Sequence, residues 1–354
     1  MPNNTLSRAE LSSNGEVLNI HYGDILIKFG DTLDCENSLI PFVSPTTKLG
    51  RKVEFLQDGD CIIADTAEDE TVGKVTELYN IGNKKVISGL HTIPCRPLLE
   101  YAQGYLGYYL NSQAFHSQLY SLMQGIKVLS ISKSNISRTT VKYPSVGEQK
   151  KISTLLDLLD RKIDVQKKLI DLLKSYKRGL LHLIFDDPLE SVELYKIVNY
   201  CSSANTFSII EQNNIGEYPV YDAGGIVAHI DKFDFDIGYV AIIKDGSGVG
   251  RLQLCQAKSS IIGTLGALVP KGCSEKYLYA VLQNIDFRQF ITGMAIPHIY
   301  YKDYMRVQVP FPDKNTQNKI EQLLTKYDLI CEKENSELLH LQQLKRSLLQ
   351  ALFI

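Results

Sequence analysis

Two long stretches of this chain repeat one pattern of apolar positions. In the first, a 4-then-3 spacing runs through Ile152, Leu156, Leu159, Ile163, Gln166, Ile170, Leu173, Lys177, Leu180 and Ile184. In the second it runs through Ile320, Leu324, Tyr327, Cys331, Glu334, Leu338, Leu341, Lys345, Leu348 and Leu352. A heptad spacing sustained for about four heptads keeps one seam of a helix facing another helix. It predicts long helices within 144–186 and 313–354 that pair as an antiparallel coiled coil, Leu156, Leu159, Ile163, Gln166, Ile170 and Leu173 on one side and Leu324, Tyr327, Glu334, Leu338 and Leu341 on the other. Both seams are interrupted at the same two places, Gln166 with Glu334 and Lys177 with Lys345. Polar side chains in a seam cost stability, and fixing the register is the role expected of them. The competing expectation is two amphipathic helices that pack only on their own globular segments.

The pattern belongs to an internal repeat. Residues 149–185 and 317–353 align without a gap at an offset of 168, with Gln149/Gln317, Asp160/Asp328, Lys177/Lys345 and Phe185/Phe353 among the identities. The offset continues upstream through Pro144/Pro312, Val141/Val309, Arg138/Arg306 and Gly125/Gly293. Farther back, Val72, Gly73 and Lys74 resemble Val249, Gly250 and Arg251, each set following an apolar run, 61–64 or 239–243. Each half-chain is therefore one copy of a plan: a globular segment, 1–143 or 187–312, followed by a helix, 144–186 or 313–354. Short β-rich runs at 24–29, 86–93, 239–244 and 260–269 are punctuated by Gly, Asn and Asp. Each globular segment also carries a shorter amphipathic helix, 106–123 or 276–290. The expected fold class is α+β. The copies differ at their start, where the first lacks a counterpart of residues 194–214.

Composition narrows the options. At 354 residues the chain exceeds what one core usually serves, and 44% hydrophobic with 22% charged residues is ordinary for a globular protein. No run of eighteen apolar residues and no basic-then-apolar leader occurs, so no membrane association and a cytoplasmic location are expected. Seven scattered cysteines, none in a C-x-x-C pair, argue against a disulfide framework or a zinc knuckle. The net charge of −2 means that any nucleic-acid face is a local patch rather than a basic domain.

Enzymatic signatures are missing. There is no N-P-P-Y type motif, no Gly-rich cofactor loop and no Walker A sequence, and Asp186, Asp187 and Pro188 read as a helix-ending turn. Gly246, Gly248 and Gly250 lack a following helix pattern and read as a strand-to-strand turn rather than a phosphate cradle. Asp234 and Asp236 precede 242–244, but Ile242 stands where a nuclease would need its second acid. The seven histidines, His91, His229 and His298 among them, show no metal-binding or triad spacing. No metal and no cofactor are expected in this chain.

Two different globular segments, each trailed by a near-identical helix, resemble the specificity subunit of type I restriction-modification systems. The resemblance spans nearly the whole chain and is carried by the two helices, by 22–28 (YGDILIK), 58–74, 238–251 (GYVAIIKDGSGVGR) and 262–270. It implies two target recognition domains that each read part of a split duplex DNA sequence. It also implies helices that serve as spacer and as docking surface for two methyltransferase subunits, which would hold S-adenosylmethionine, with restriction subunits joining that core. Helices of about 37 residues would be rods of about 55 Å, comparable to roughly 16 base pairs.

Sequence reading needs side chains that reach base edges, with further cations holding phosphates. In the second globular segment the candidates are Lys244, Ser247, Arg251 and Lys258 around the glycine turn, then His298, Tyr300, Tyr301, Lys302 and Arg306 after Gly293. Their counterparts in the first are Lys74 at the turn, then Lys127, Ser130, Ser132, Lys133 and Arg138 after Gly125. Lys84, Lys85 and Arg96 are further candidates, and Arg138 and Arg306 have bracing of the helix junction as an alternative role. The alternative function is a coiled-coil scaffold whose two globular segments bind other proteins.

Overall fold

The computed structural model describes residues 1–50, 53–185, 190–203, 205–206, 216–293 and 296–353. They form two compact units, Met1–Lys167 with Ser336–Ile354, and Lys168–Asn335. Each unit takes the start of one long helix and the end of the other, together with one α+β globular segment. The turn expected at Asp186, Asp187 and Pro188 lies outside the described residues.

In the first unit a four-stranded sheet runs in the order Thr32–Asp34, Val75–Tyr79, Cys61–Ala64, Thr92–Cys95. Cys61–Ala64 is apolar and buried throughout, which suits a central strand, and it pairs antiparallel on both sides. The second unit repeats this core as Leu252–Cys255, Tyr239–Ile243 and Leu265–Pro270, again antiparallel about a wholly buried central strand. The fourth strands sit on opposite edges. Thr32–Asp34 runs parallel to Val75–Tyr79 in the first unit, whereas Val198–Ser202 pairs antiparallel with Leu265–Pro270 in the second. That strand comes from the segment without a counterpart in the first half; positions 204 and 207–214 of the segment lie outside the described residues.

Three local expectations are corrected. Residues 24–29 do not form a strand. A short helix, Tyr22–Ile27, starts where His21 Nδ1 accepts from the Gly23 amide at 3.2 Å, and buried Asp24 binds Lys28 one turn on at 2.9 Å. The 106–123 helix is two, Tyr105–Asn111 and Gln113–Tyr120. The Asn111 side chain leaves the helix to bridge both backbone groups of Val75, and buried Ser112 is extended with its hydroxyl on the Tyr109 carbonyl. The 276–290 helix is Glu275–Gln283, capped by Ser274, with a separate 3-10 turn Phe287–Phe290 started by Asp286.

The long helices, Val146–Phe185 and Lys314–Leu352, shield every position of the two seams while most of their neighbours are exposed. Their starts explain two of the repeated identities: buried Gln149 donates to the Pro144 carbonyl and buried Gln317 to that of Pro312, each at 2.9 Å. In the first unit Lys345 lies 2.5 Å from Asp160, and Lys162 lies 3.4 Å from Glu337, so partner numbers fall as the first helix advances. In the second, Lys177 meets Asp328 at 2.5 Å, while Leu181 and Phe185 share a core with Ile320 and Leu324. Both pairings are antiparallel. The seam interruption expected to fix register at Lys177 and Lys345 is thus an ion pair to the repeated aspartate of the facing helix.

Each helix end also completes a globular core. Phe353 packs edge-on to Tyr105 and Tyr109, with ring centroids 5.7 and 5.6 Å away, and Phe185 packs on Tyr277 at 6.2 Å. The first globular segment is therefore finished by the end of the second long helix, and the second by the end of the first. The expectation that each helix packs only on its own segment fails for this reason.

Candidate nucleic-acid interfaces

Each unit builds a junction of three strand ends from the same hydrogen bonds. In the first, the Ala64 amide donates to Lys74 O at 2.9 Å, Gly73 to Ala64 O at 2.8 Å and Lys74 to Thr71 O at 3.0 Å. In the second, Ile243 donates to Arg251 O at 3.0 Å, Gly250 to Ile243 O at 2.8 Å and Arg251 to Gly248 O at 3.1 Å. A hairpin closes beside each turn. Gln124 and Ser130 exchange both backbone bonds, as do Thr292 and His298. Its start needs glycine: a side chain on Gly125 or Gly293, both at positive φ, would strike the carbonyl oxygen of Val128 or Ile296. Ile131 then donates to Asp65 O, and Ile299 to Lys244 O, each at 2.9 Å. A one-turn helix follows, Lys133–Ile136 or Tyr301–Tyr304.

On this shared frame the side chains differ. In the second unit Lys244, exposed Ser247 and exposed Arg251 line the turn, with Arg251 Nε on the Gly248 carbonyl at 3.3 Å and Lys244 near Asp245. The Gly246 amide donates to Pro297 O, which ties the turn to the hairpin that carries His298. Exposed Tyr300 lies against the His298 ring at 4.9 Å and under the Lys302 ammonium at 5.4 Å. Tyr301 stacks on Tyr200 at 4.5 Å, and Arg306 is exposed beyond the short helix. Lys258 is not part of this group. It follows Cys255, whose partner Tyr239 marks the opposite end of the strand pair.

In the first unit Lys127 is exposed at the hairpin, Ser130 pairs with Thr66, and Ser132 caps the short helix through the Asn135 amide. Lys133 donates to the Met1 carbonyl at 3.0 Å, and Arg138 is exposed. Lys74 turns inward. Its ammonium donates to Leu26 O at 3.0 Å, and burial lowers its pKa although Asp31 works against that. Two further cations noted in this segment are also occupied: Arg96 forks onto Asp60 at 2.8 and 2.7 Å, and Lys84 donates to Cys35 O at 2.8 Å, while Lys85 is exposed. Residues 65–70 contribute Asp65, Glu68, Asp69 and Glu70, so the first turn is acidic where the second is mixed.

The sequence set His91 aside with the other histidines and did not place Tyr22 beside His91 or Tyr200 beside Tyr301. Asp65 donates its amide to His91 O at 3.1 Å, as Lys244 does to Thr264 O, which brings the end of a third strand into the junction. No spacing in the sequence signals that neighbour. Among the described residues no cluster of three or more His, Cys, Asp or Glu could hold a metal ion, and no helix is long and apolar enough to cross a membrane.

A family model, Type I restriction modification DNA specificity domain, matches residues 7–175 and 187–341. The chain belongs to that family. Two Mycoplasma pneumoniae proteins named as type I specificity subunits are similar to it. One is 27% identical over 150 residues, 39% of this chain and 49% of its own length; the other is 25% identical over 210 residues, 53% and 75%. The chain thus spans about half the length of the first. Among solved structures, the S subunit of the type I restriction-modification system from M. genitalium matches with a TM-score of 0.56 at 16% identity, over 100% of this chain and 93% of that one. A chain from work on complex assembly and conformational transition of the type I R-M system matches with 0.59 at 16% identity, over 90% and 89%. These two likenesses are of fold.

Proposed function

We propose that this chain is the DNA-binding specificity subunit of a type I restriction-modification complex, reading a bipartite duplex target without chemistry of its own. Residues 1–143 and 187–312 act as the two target recognition domains, and 144–186 and 313–354 as spacer helices. The observation that carries this reading is the repeated junction: one hydrogen-bonded frame occurs twice, with different exposed side chains on it. Two readers that share a scaffold but not a surface suit two unlike half-sites, since base contacts specify while the frame positions.

The helices serve a second task, docking of methyltransferase subunits that hold S-adenosylmethionine, with restriction subunits added to them. Exposed apolar residues away from the paired seam support it. On the first long helix these include Leu155, Leu158 and Val165 in the first unit and Leu169, Leu172, Tyr176 and Leu183 in the second. They recur at heptad spacing on the first long helix, a pattern that suits a further helix as partner.

The test is methylation sequencing of cellular DNA with and without this chain, in cells that express the cognate methyltransferase subunit. The expected result is a split motif that carries methyladenine only when the chain is present. Co-purifying soluble subunits that yield no new motif would contradict the reading.

A further inference from the structure

The two junctions place a histidine on different strand ends, His91 in the first and His298 in the second. The backbone position of His91 in the first unit is that of Thr264 in the second, each accepting from the residue that opens the turn, and Ser130 corresponds to His298 in the hairpin. Hydroxyl and imidazole have exchanged places across one frame.

We propose that His91 is a specificity-determining residue of the first unit, its Nε2 accepting a hydrogen bond from the exocyclic amino group of an adenine or cytosine in the major groove. The proposal rests on the DNA-specificity reading above. Three features of the site carry it. First, Nδ1 of His91 lies 3.3 Å from both Asp65 Oδ1 and Thr66 Oγ1. The Thr66 hydroxyl donates to that same aspartate oxygen at 2.8 Å, so its proton is committed. Nδ1 then faces only acceptors and must carry the ring proton, which leaves Nε2 of the neutral ring as a lone-pair acceptor.

Second, the ring is held for use rather than buried. Its side chain is 47% exposed, and Tyr22 lies edge-on at 5.3 Å. The His91 backbone sits at φ +52°, a left-handed conformation that a side-chain-bearing residue keeps only where its surroundings enforce it. Third, the second unit reaches the same tautomer from the other strand. His298 Nδ1 lies 3.2 Å from the Ile296 carbonyl, which can only accept, and Tyr300 lies beside that ring. The major-groove donors that an oriented acceptor can meet are adenine N6 and cytosine N4.

The experiment is selection by the full-length chain from duplexes with two randomised windows, using wild type, His91→Ala and His91→Asn. Asparagine tolerates the left-handed backbone but is too short to replace the ring, so it guards against misfolding. Both variants are expected to lose about tenfold in preference at one base pair of one half-site, with the other half-site unchanged. In the selected duplex, purine in place of adenine, or 2-pyrimidinone in place of cytosine, then removes only the amino group at that position. Wild-type binding should fall about tenfold and the variants should be indifferent. Variants with unaltered base preference, or analogues that cost variants and wild type equally, would overturn the inference alone. A wild-type chain that enriches no duplex would overturn the DNA-specificity reading and the inference with it.

Discussion

At the first junction the turn carries Asp65, Glu68, Asp69 and Glu70, and Lys74 points inward to the Leu26 carbonyl. At the second, Arg251 occupies the backbone position of Lys74 and is exposed, behind a turn that opens with Lys244. The hydrogen bonds that close both turns are the same, although nine residues lie between Ala64 and Lys74 and seven between Ile243 and Arg251. Framework and chemistry are separable here: the strand ends are fixed by backbone bonding and by the positive-φ glycines, and the residues between them differ in charge and number under the same closing bonds. Under the proposed function, phosphate contacts in the first unit would fall to exposed Lys127 and Arg138, and in the second to exposed Arg251 of the turn as well.

The helix pairings show the same contrast between equal frames and unequal surroundings. Lys345 is 18% exposed and bonds both Asp160 at 2.5 Å and Asp31 at 2.7 Å, with the Tyr108 ring at 5.5 Å. Burial pushes its pKa down, but the two carboxylates more than reverse this and hold it raised. Among the described residues Lys177 pairs with Asp328, which is 50% exposed. Removing a buried cation strands its carboxylates, so Lys345→Ala should cost about 3–5 kcal/mol. Lys177→Ala should cost less than about 1 kcal/mol. Urea unfolding of the two variants compares them directly, and equal losses would break the distinction between a buried network and a rim pair.

The smallest difference is at the helix starts. Ser145 caps the first long helix, its hydroxyl 3.4 Å from the Glu148 amide, while the Asp313 carboxylate accepts from the Thr316 hydroxyl and from the Thr316 and Asn315 amides. Bonds from the Thr316 hydroxyl and amide hold the Asp313 pKa below its ordinary 3.8. A depressed carboxyl adds stability that is complete above its unfolded value and is lost as pH falls through the lower folded value. Amide exchange over 316–320 should therefore accelerate in acid below pH 3.8 more than exchange over 148–152, where the capping hydroxyl does not titrate. Equal acid sensitivity would remove this distinction.

Much of the scaffold was legible in the chain itself. The heptad seam and the offset of 168 located both helices, and the strand-to-strand reading of Gly246, Gly248 and Gly250 matches a turn between Tyr239–Ile243 and Leu252–Cys255. Periodicity, however, describes one helix at a time. It marked Lys177 and Lys345 as interruptions without naming Asp328 and Asp160 as partners, and it did not show that Phe185 and Phe353 finish globular cores. At 24–29 a single turn has too few residues to distinguish a strand from a helix, and the His21 cap decided it. The candidate nucleic-acid surface was the least legible part. Whether a lysine faces water, like Lys127, or a carbonyl, like Lys74, depends on neighbours about fifty residues away, such as Leu26. His91 joined its junction through Asp65, with the same kind of long-range dependence.

On the proposed function, two separate readers each recognise their own half-site. The most direct measurement is the base preference of Arg251→Ala across both halves of the selected target. A loss of about 1–3 kcal/mol confined to one half-site, with the other unchanged, is expected. An equal loss at both halves would contradict it.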